Sequence, residues 1–362
     1  MTLILSRTFK LAFALVLTAW LGGCANLAYY TQAVGGQMEL LRRAQPISTI
    51  TEDPNADPSL KRTLAKVVAL RAFASREPQL PDNQSYTRYA DLKRPFVVWN
   101  VFAAPEFSTE PKKWCFVGVG CVSYRGFFSK ADADNFAQEL RREDYDVSVG
   151  GVPAYSTLGW FNDPVLNTFI GYSETELARL IFHELAHQVV YVRDDSAFNE
   201  SFATVVELEG VRHWLQRNGT AAQRAAWDAT QQRQIAFTEI VLNIRRRLEA
   251  VYASGVNDTD KRAAKARLFT ELRAELTRLQ TAAGGASRSD RWHALQLNNA
   301  HLASIITYTQ LVPAFQALLA QQHGDMGRFY AAVKKLSKLS EPERVAMLQS
   351  AAKDARKEAG AS

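Results

Sequence analysis

The pentapeptide His-Glu-Leu-Ala-His at residues 183–187 strongly restricts the conformation of the chain around it. Histidines four positions apart lie on one face of an α-helix, about one turn from each other. Apolar residues precede and follow the pentapeptide, and Ser173 with Glu176 has the pattern of a capping box. We therefore expect a buried, rigid helix over about residues 174–192 that directs two imidazoles to the same place.

Two imidazoles placed in this way can each present a nitrogen to one Zn²⁺ ion. His183 and His187 are thus the predicted metal ligands, and Glu184, which projects beside the ion, is the predicted catalytic base. In that role Glu184 takes a proton from water and passes it to a leaving amine. The alternative is a buried helix whose two histidines only form hydrogen bonds in the core.

A catalytic zinc ion needs a third protein ligand and an open position. The metzincin form of the motif has glycine at position 190 and histidine at position 193, where this chain has Val190 and Arg193. A second helix begins near Glu200, and an antiparallel return over a short turn would bring this carboxylate beside His187. Glu200 is therefore the predicted third ligand, and Glu207 is either its rival or a hydrogen-bond acceptor for a ligand histidine.

The tetrahedral intermediate of peptide hydrolysis needs a hydrogen-bond donor for its oxyanion besides the metal. Tyr308, on a predicted helix in the last part of the chain, is the candidate for this catalytic role, with Tyr155 and His301 as alternatives. A tyrosine there can equally be a core residue with a satisfied hydroxyl. Asn299 is a candidate for binding substrate carbonyls, although a buried asparagine often only joins two helices.

The N-terminus has the pattern of a secretion signal, in which two cations precede the apolar stretch Leu11–Leu21. The sequence Leu-Gly-Gly-Cys at 21–24 resembles a bacterial lipobox, which implies a signal peptide at residues 1–23 and lipid modification of Cys24. Asn26 is not the aspartate associated with inner-membrane retention. We therefore expect a lipid anchor in the outer membrane and a protein that faces the periplasm. An ordinary cleaved signal with an incidental cysteine is the alternative.

Cys115 and Cys121 are the other two cysteines, and they lie in a β-prone stretch that two glycines interrupt. In an oxidising compartment so close a pair can join a local loop, so a disulfide is the prediction. A zinc site is the alternative, but one pair supplies only two ligands and no histidine lies nearby in the sequence.

With 362 residues, 47% of them hydrophobic, and a net charge of +6, the chain can build a large core. No dense stripe of Lys and Arg with interleaved aromatic residues occurs, so we expect no nucleic-acid partner. The patterns predict an α+β fold. Residues 24–172 are expected to form an α/β region with early helices and a small mixed sheet, and residues 173–362 a largely helical, zincin-like lobe with a long helical hairpin. A strand at 147–155 is either an edge for pairing with extended substrate or an ordinary connection.

Several motifs together resemble those of the family of bacterial zinc aminopeptidase lipoproteins, over nearly all of the mature chain. Besides the lipobox and the pentapeptide, they are Tyr-Arg-Gly-Phe-Phe at 124–128, Gly-Gly-Val-Pro-Ala-Tyr-Ser-Thr-Leu-Gly-Trp-Phe at 150–161, Asn-Glu-Ser-Phe-Ala at 199–203 and Leu-Asn-Asn-Ala at 297–300. The resemblance implies a metallopeptidase of the gluzincin type that acts on peptides. It also implies that His183, His187 and Glu200 are zinc ligands and that Glu184 is the catalytic glutamate.

Two departures from other gluzincins leave the substrate open. Thermolysin-like enzymes have an aspartate that orients a ligand histidine, and this chain has Thr204 at that place. The segment 150–161 contains no acidic residue comparable to the one that binds the substrate amine in large aminopeptidases. We expect an aminopeptidase, with an envelope endopeptidase and a non-catalytic lipoprotein braced by zinc as the alternatives.

Overall fold

The computed structural model describes residues 27–282 and 296–360 and confirms the predicted α+β class. Short strands and a few helices occupy the first half of the chain, and the second half is almost entirely helical. The predicted signal peptide and Cys24 lie outside the described residues.

The helices, in chain order, are α1 (27–43), α2 (Ile47–Glu52), α3 (Pro58–Arg76), α4 (Lys130–Arg142), α5 (Glu174–Ala186), α6 (Ser196–Asn218), α7 (Ala221–Ala253), α8 (Asp258–Ala282), α9 (Asn299–Thr309), α10 (Val312–Gln321), α11 (Met326–Leu336) and α12 (Glu341–Gly360). The strands are β1 (Gln45–Pro46), β2 (Arg88–Ala90), β3 (Val98–Pro105), β4 (Trp114–Phe116), β5 (Gly120–Val122), β6 (Arg125–Phe127), β7 (Tyr145–Val152) and β8 (Val165–Leu166).

The strands form two three-stranded sheets and one hairpin. One sheet has the order β6-β3-β7 and is antiparallel, and β3 pairs with β7 along its whole length. Helix α4 covers it through Ala133, Ala137 and Leu140, whose spacing places them on one side of the helix. The second sheet has the order β1-β2-β8, and β4 pairs with β5 alone. Strand β7, which covers most of the predicted strand 147–155, is therefore an edge strand.

The main hydrophobic core draws on both predicted segments, from α3 in the first to α5, α6, α10 and α11 in the second. Helices α5 and α6 approach closely where Gly210 lies against the buried ring of Phe182. A Cβ on Gly210 would lie 2.6 Å from that ring, so only glycine allows this separation. Helices α7 and α8 form the predicted long hairpin and share a second cluster with α9, which contains Ile244, Leu272 and Leu302.

One helix boundary differs from the sequence pattern. Helix α5 ends at Ala186 rather than near residue 192, because the chain turns at once after the pentapeptide. Pro313 lies in the first turn of α10, directly after the break between α9 and α10, where the missing N–H costs no hydrogen bond.

Within the described ranges, Asn299–Gln321 is the one helical stretch long and apolar enough to cross a membrane. It is divided into α9 and α10 at Gln310 and Leu311. Leu302 and Phe315 in the two halves are fully buried, which is the environment of core helices.

Candidate metal centre

His183 and His187 lie at the C-terminal end of α5, which starts at the predicted capping box of Ser173 and Glu176. The apolar face of this helix is buried in the main core, so the helix has no freedom to rotate. The two imidazoles lie next to each other, with ring centroids 4.9 Å apart and planes at 85°. Both rings border a large cleft.

A short loop reverses the chain between α5 and α6, and the side chain of Asn199 holds that loop in place. Its Oδ1 accepts a hydrogen bond from the N–H of Val192 at 2.8 Å, and its Nδ2 donates one to the carbonyl of Val192 at 2.7 Å. Asp195 caps α6 by accepting from the N–H of Phe198 and also forms a buried ion pair with Arg344 at 2.7 Å. The start of α6 is thus held in place by Asn199, which binds the loop, and by Asp195, which caps the helix.

Glu200, in the second turn of α6, faces both histidines. Its Oε2 lies 3.2 Å from Nε2 of His183 and 3.5 Å from Nε2 of His187. The three ligand atoms lie within 4.8 Å of one another, and no other such group of His, Cys, Asp and Glu occurs in the described part of the chain. Two imidazole nitrogens and one carboxylate oxygen form a donor set that zinc sites use.

Glu207 lies behind His183 rather than in the group of three. Its Oε2 lies 2.8 Å from Nδ1 of His183, and its Oε1 accepts a hydrogen bond from Arg179 at 3.2 Å. With its proton on Nδ1 facing Glu207, a neutral His183 has its Nε2 lone pair directed toward Glu200, and with a second proton on Nε2 the ring donates to Glu200 instead. Either this second proton or a metal cation makes the contact between Nε2 and the carboxylate favourable. The geometry therefore gives Glu207 the second of its two predicted roles, that of acceptor for a ligand histidine; Nδ1 of His187 has no partner among the described residues.

The pKa values of the buried groups also indicate that the place between Glu200 and the two histidines favours positive charge. Burial lowers the pKa of His183, but hydrogen bonds to Glu200 and Glu207 outweigh it and raise this pKa to about 10. Burial raises the pKa of Glu200, but the charge of His187 and the hydrogen bonds to both histidines lower it to about 2. A divalent metal ion at the shared point satisfies the three donors without a proton, so the residues present fit a metal ion.

Glu184 borders the same cleft as the three ligands. Burial raises the pKa of its carboxyl, while the charges of His183 and His187 lower it and those of Glu200 and Glu207 raise it further. A carboxyl whose pKa lies above its ordinary value is better suited to both accepting and returning a proton near neutral pH. The position of Glu184 in the cleft and the raised pKa of its carboxyl are compatible with the predicted role of general base.

Tyr308 reaches the site from α9, far along the sequence. Its ring stacks on His183, with centroids 6.3 Å apart and planes at 26°, and it borders the cleft. Burial and the charge of Glu200 raise the pKa of its hydroxyl well above the ordinary value, so the hydroxyl stays protonated and can donate a hydrogen bond.

The alternative candidates are engaged elsewhere. The hydroxyl of Tyr155 donates to Gln37, and Nδ1 of His301 forms a hydrogen bond with Asn298. Asn299 donates to the carbonyls of Pro105 and Glu106 and accepts from the hydroxyl of Tyr252. The amide of Asn299 therefore joins α9 to the sheet region and to α7 and is not free to bind a substrate carbonyl.

Tyr124 is a candidate that sequence reasoning did not identify. It borders the cleft, and burial together with the charge of Glu200 raises the pKa of its hydroxyl well above the ordinary value. Its one signal in the sequence is its place at the start of the motif 124–128. Nothing local indicates that it lies near Glu200 and Glu184, because this depends on how segments far apart in the chain pack together.

The cleft above the ligands has a volume of about 2040 Å³. Residues of α1, of the β4–β5 hairpin and of the loop 153–161 border it, as do residues of α7 and α8. The cleft is larger than the roughly 300–1,000 Å³ of typical small-molecule sites. Val152 at the end of the edge strand β7 also borders it.

Cys115 and Cys121 are joined by a disulfide across the β4–β5 hairpin. The hairpin contacts the chain that follows α5, since the hydroxyl of Tyr191 donates to the carbonyl of Val119 at 3.0 Å. Asp194 accepts a hydrogen bond from the N–H of Cys121 at 2.6 Å. The hairpin is therefore packed on the loop that connects the two ligand-bearing helices.

Comparison with known proteins adds one finding. A family model described as "Putative aminopeptidase" matches residues 28–348 of the chain. No curated protein and no solved structure matches it.

Proposed function

The chain belongs to the family described as "Putative aminopeptidase", and on that premise we propose that it is a zinc-dependent peptidase that hydrolyses peptide bonds, as an aminopeptidase. One observation carries the proposal: His183, His187 and Glu200 point their donor atoms at one place, beside Glu184 and within a large cleft. Three protein donors leave a position open for water and substrate, whereas a structural zinc ion usually has four protein ligands.

Zinc bound by these three residues supplies Lewis acidity, which polarises the substrate carbonyl and lowers the pKa of water. Glu184 takes a proton from the attacking water as the new carbon–oxygen bond forms. Glu184 then gives this proton to the amine nitrogen as the carbon–nitrogen bond breaks. The hydroxyl of Tyr308 donates to the oxyanion that develops, and Glu207 keeps His183 in the tautomer that offers Nε2 to the metal.

An endopeptidase is the second candidate, and the size of the cleft favours it. A cavity of about 2040 Å³ has room for a polypeptide segment of many residues, not only for a terminal amino acid. An aminopeptidase needs an anionic partner for the substrate amine; the segment 150–161 offers none, so this partner would have to be another acidic residue of the cleft, such as Glu176 or Glu239. The family description favours the aminopeptidase, so the two activities must be separated by experiment.

We also propose that the protein acts from a lipid anchor at Cys24, in the outer membrane and facing the periplasm. The lipobox-like sequence at 21–24 supports the anchor. The disulfide between Cys115 and Cys121 supports an oxidising compartment, because such bonds rarely persist in a reducing cytosol.

The decisive experiment combines metal analysis with two kinds of reporter, one with a free α-amine and one with a blocked amine. Hydrolysis of the free-amine reporter alone indicates an aminopeptidase, and hydrolysis of both indicates an endopeptidase. Glu184→Gln should abolish turnover while zinc stays bound, and Glu52→Gln, at an exposed glutamate of α2 away from the cleft, serves as the control. Bound zinc without turnover of any reporter would favour the structural brace.

A further inference from the structure

Helix α1 has an unusual distribution of polar and apolar residues. The face directed at the protein contains Gln32, which accepts from the N–H of Phe128 at 3.0 Å, and Gln37, which accepts from the hydroxyl of Tyr155. The face directed at solvent carries large apolar side chains instead. Residues 27–38 contain no charged side chain at all. Leu40 of the same helix is buried in the main core, so apolar side chains lie on both faces of α1, whereas a surface helix of a soluble protein normally has polar and charged residues on its outer face.

The outward apolar residues of α1 follow helical spacing, with Leu27 67%, Val34 61% and Met38 47% exposed. Two other elements bring exposed apolar side chains to the same mouth of the cleft. They are the tip of the β4–β5 hairpin, with Val117 88% exposed, and the loop after β7, with Trp160 76% exposed. The hydroxyl of Tyr30 accepts from the N–H of Val117 at 3.1 Å and so joins α1 to the hairpin.

We call this surface the apolar rim; its members are Leu27, Val34, Met38, Val117, Trp160 and Phe161. Exposed apolar side chains grouped around one cleft, as all of these except Leu27 are, indicate a contact with another molecule or with a membrane. The chain that precedes the rim decides between the two. Cys24 stands three residues before Leu27, so the two positions are at most about 10 Å apart along the chain.

We propose that the apolar rim rests on the lipid bilayer, with α1 lying in the interface beside the N-terminal anchor. The first part of α1, residues 27–38, has no charged side chain and an outward apolar face, and exposed Trp and Phe side chains border the same cleft; such a surface can enter the boundary between headgroups and acyl chains. The anchor at Cys24 holds this face at the membrane, and the rim then orients the protein so that the cleft opens onto the bilayer surface. This proposal depends on the anchor and not on the peptidase activity.

The test measures the depth of single spin labels in the full-length chain, anchored in vesicles of phosphatidylethanolamine and phosphatidylglycerol. Val34→Cys and Trp160→Cys place labels on the rim, and Val256→Cys and Met347→Cys place them on exposed apolar positions elsewhere. Cys115 and Cys121 are in a disulfide and do not react, and labelling of the parent chain corrects for any signal from Cys24. The rim labels should be more accessible to oxygen, which dissolves in lipid, and less accessible to a water-soluble nickel complex than the two control labels.

Two results would overturn the proposal. The first is rim labels that are as accessible to the nickel complex as the controls, or a chain that does not associate with the vesicles. The second is spin–spin broadening between rim labels that disappears on dilution with unlabelled protein, which would assign the rim to a second copy of the chain. Label depth requires no turnover, so this test can fail or succeed independently of the proposed peptidase function.

Discussion

Replacing Glu207 with glutamine should weaken zinc binding although Glu207 is not a ligand. The carboxylate holds Nδ1–H of His183 at 2.8 Å, and it is buried, so water cannot take its place. A hydrogen bond to a charged acceptor contributes about 1.5–3 kcal/mol, and one to a neutral acceptor about 0.5–1.5 kcal/mol. Glu207→Gln keeps the shape and an acceptor oxygen but loses the charge. The difference of about 1–2 kcal/mol corresponds to roughly a 5- to 30-fold weaker zinc affinity, which overlaps the roughly 10- to 100-fold effect of changing the partners of ligand histidines.

The assay is competition for zinc with a chromophoric chelator, which gives the Kd of each variant without any need for a substrate. Glu209→Gln is the matched control, because Glu209 lies on the same helix and also pairs with an arginine, Arg212, but touches no ligand histidine. The control should bind zinc as the parent chain does. Equal zinc affinity in the two variants would refute the argument that Glu207 positions His183.

Three further outcomes follow from the structure. Tyr308→Phe should lower kcat by about 10²-fold with unchanged zinc content, because only the donor to the oxyanion is lost. Steady-state kinetics with metal analysis tests this, and an unaltered kcat would contradict it. Burial raises the pKa of Asp163 to about 7 from an ordinary 3.8. Between these pH values the folded chain retains a proton that the unfolded chain releases. The free energy of unfolding should therefore fall as pH rises through this range, by at most about 4 kcal/mol. Asp163→Asn should flatten that slope in urea titrations across the same pH range, and a slope equal to that of the parent would be evidence against it. Gly210→Ala should destabilise the fold by about 1–3 kcal/mol, because the new Cβ overlaps the buried ring of Phe182; a thermal melt at or above the parent Tm would show that α6 can move away.

The sequence predicted where α5 begins and that its two histidines lie on one face of the helix, because both properties depend on contacts within a few residues. The capping box of Ser173 and Glu176 and the spacing of His183 and His187 are local properties of one helix. The sequence patterns did not locate the end of α5, since that depends on Asn199, seven residues beyond Val192, binding the loop. Local patterns also did not reveal α10 and α11.

Sequence alone thus determined which side chains a single helix presents, and it narrowed the candidate for the third ligand to two glutamates on one face of α6. Only the tertiary structure decided between them, because the rotation of α6 about its axis is set by close packing such as that of Gly210 on Phe182. The same packing places Glu200 in front of the histidines and Glu207 behind His183. Tyr308 and Tyr124 reach the cleft through contacts between segments far apart in the chain, which no local pattern encodes.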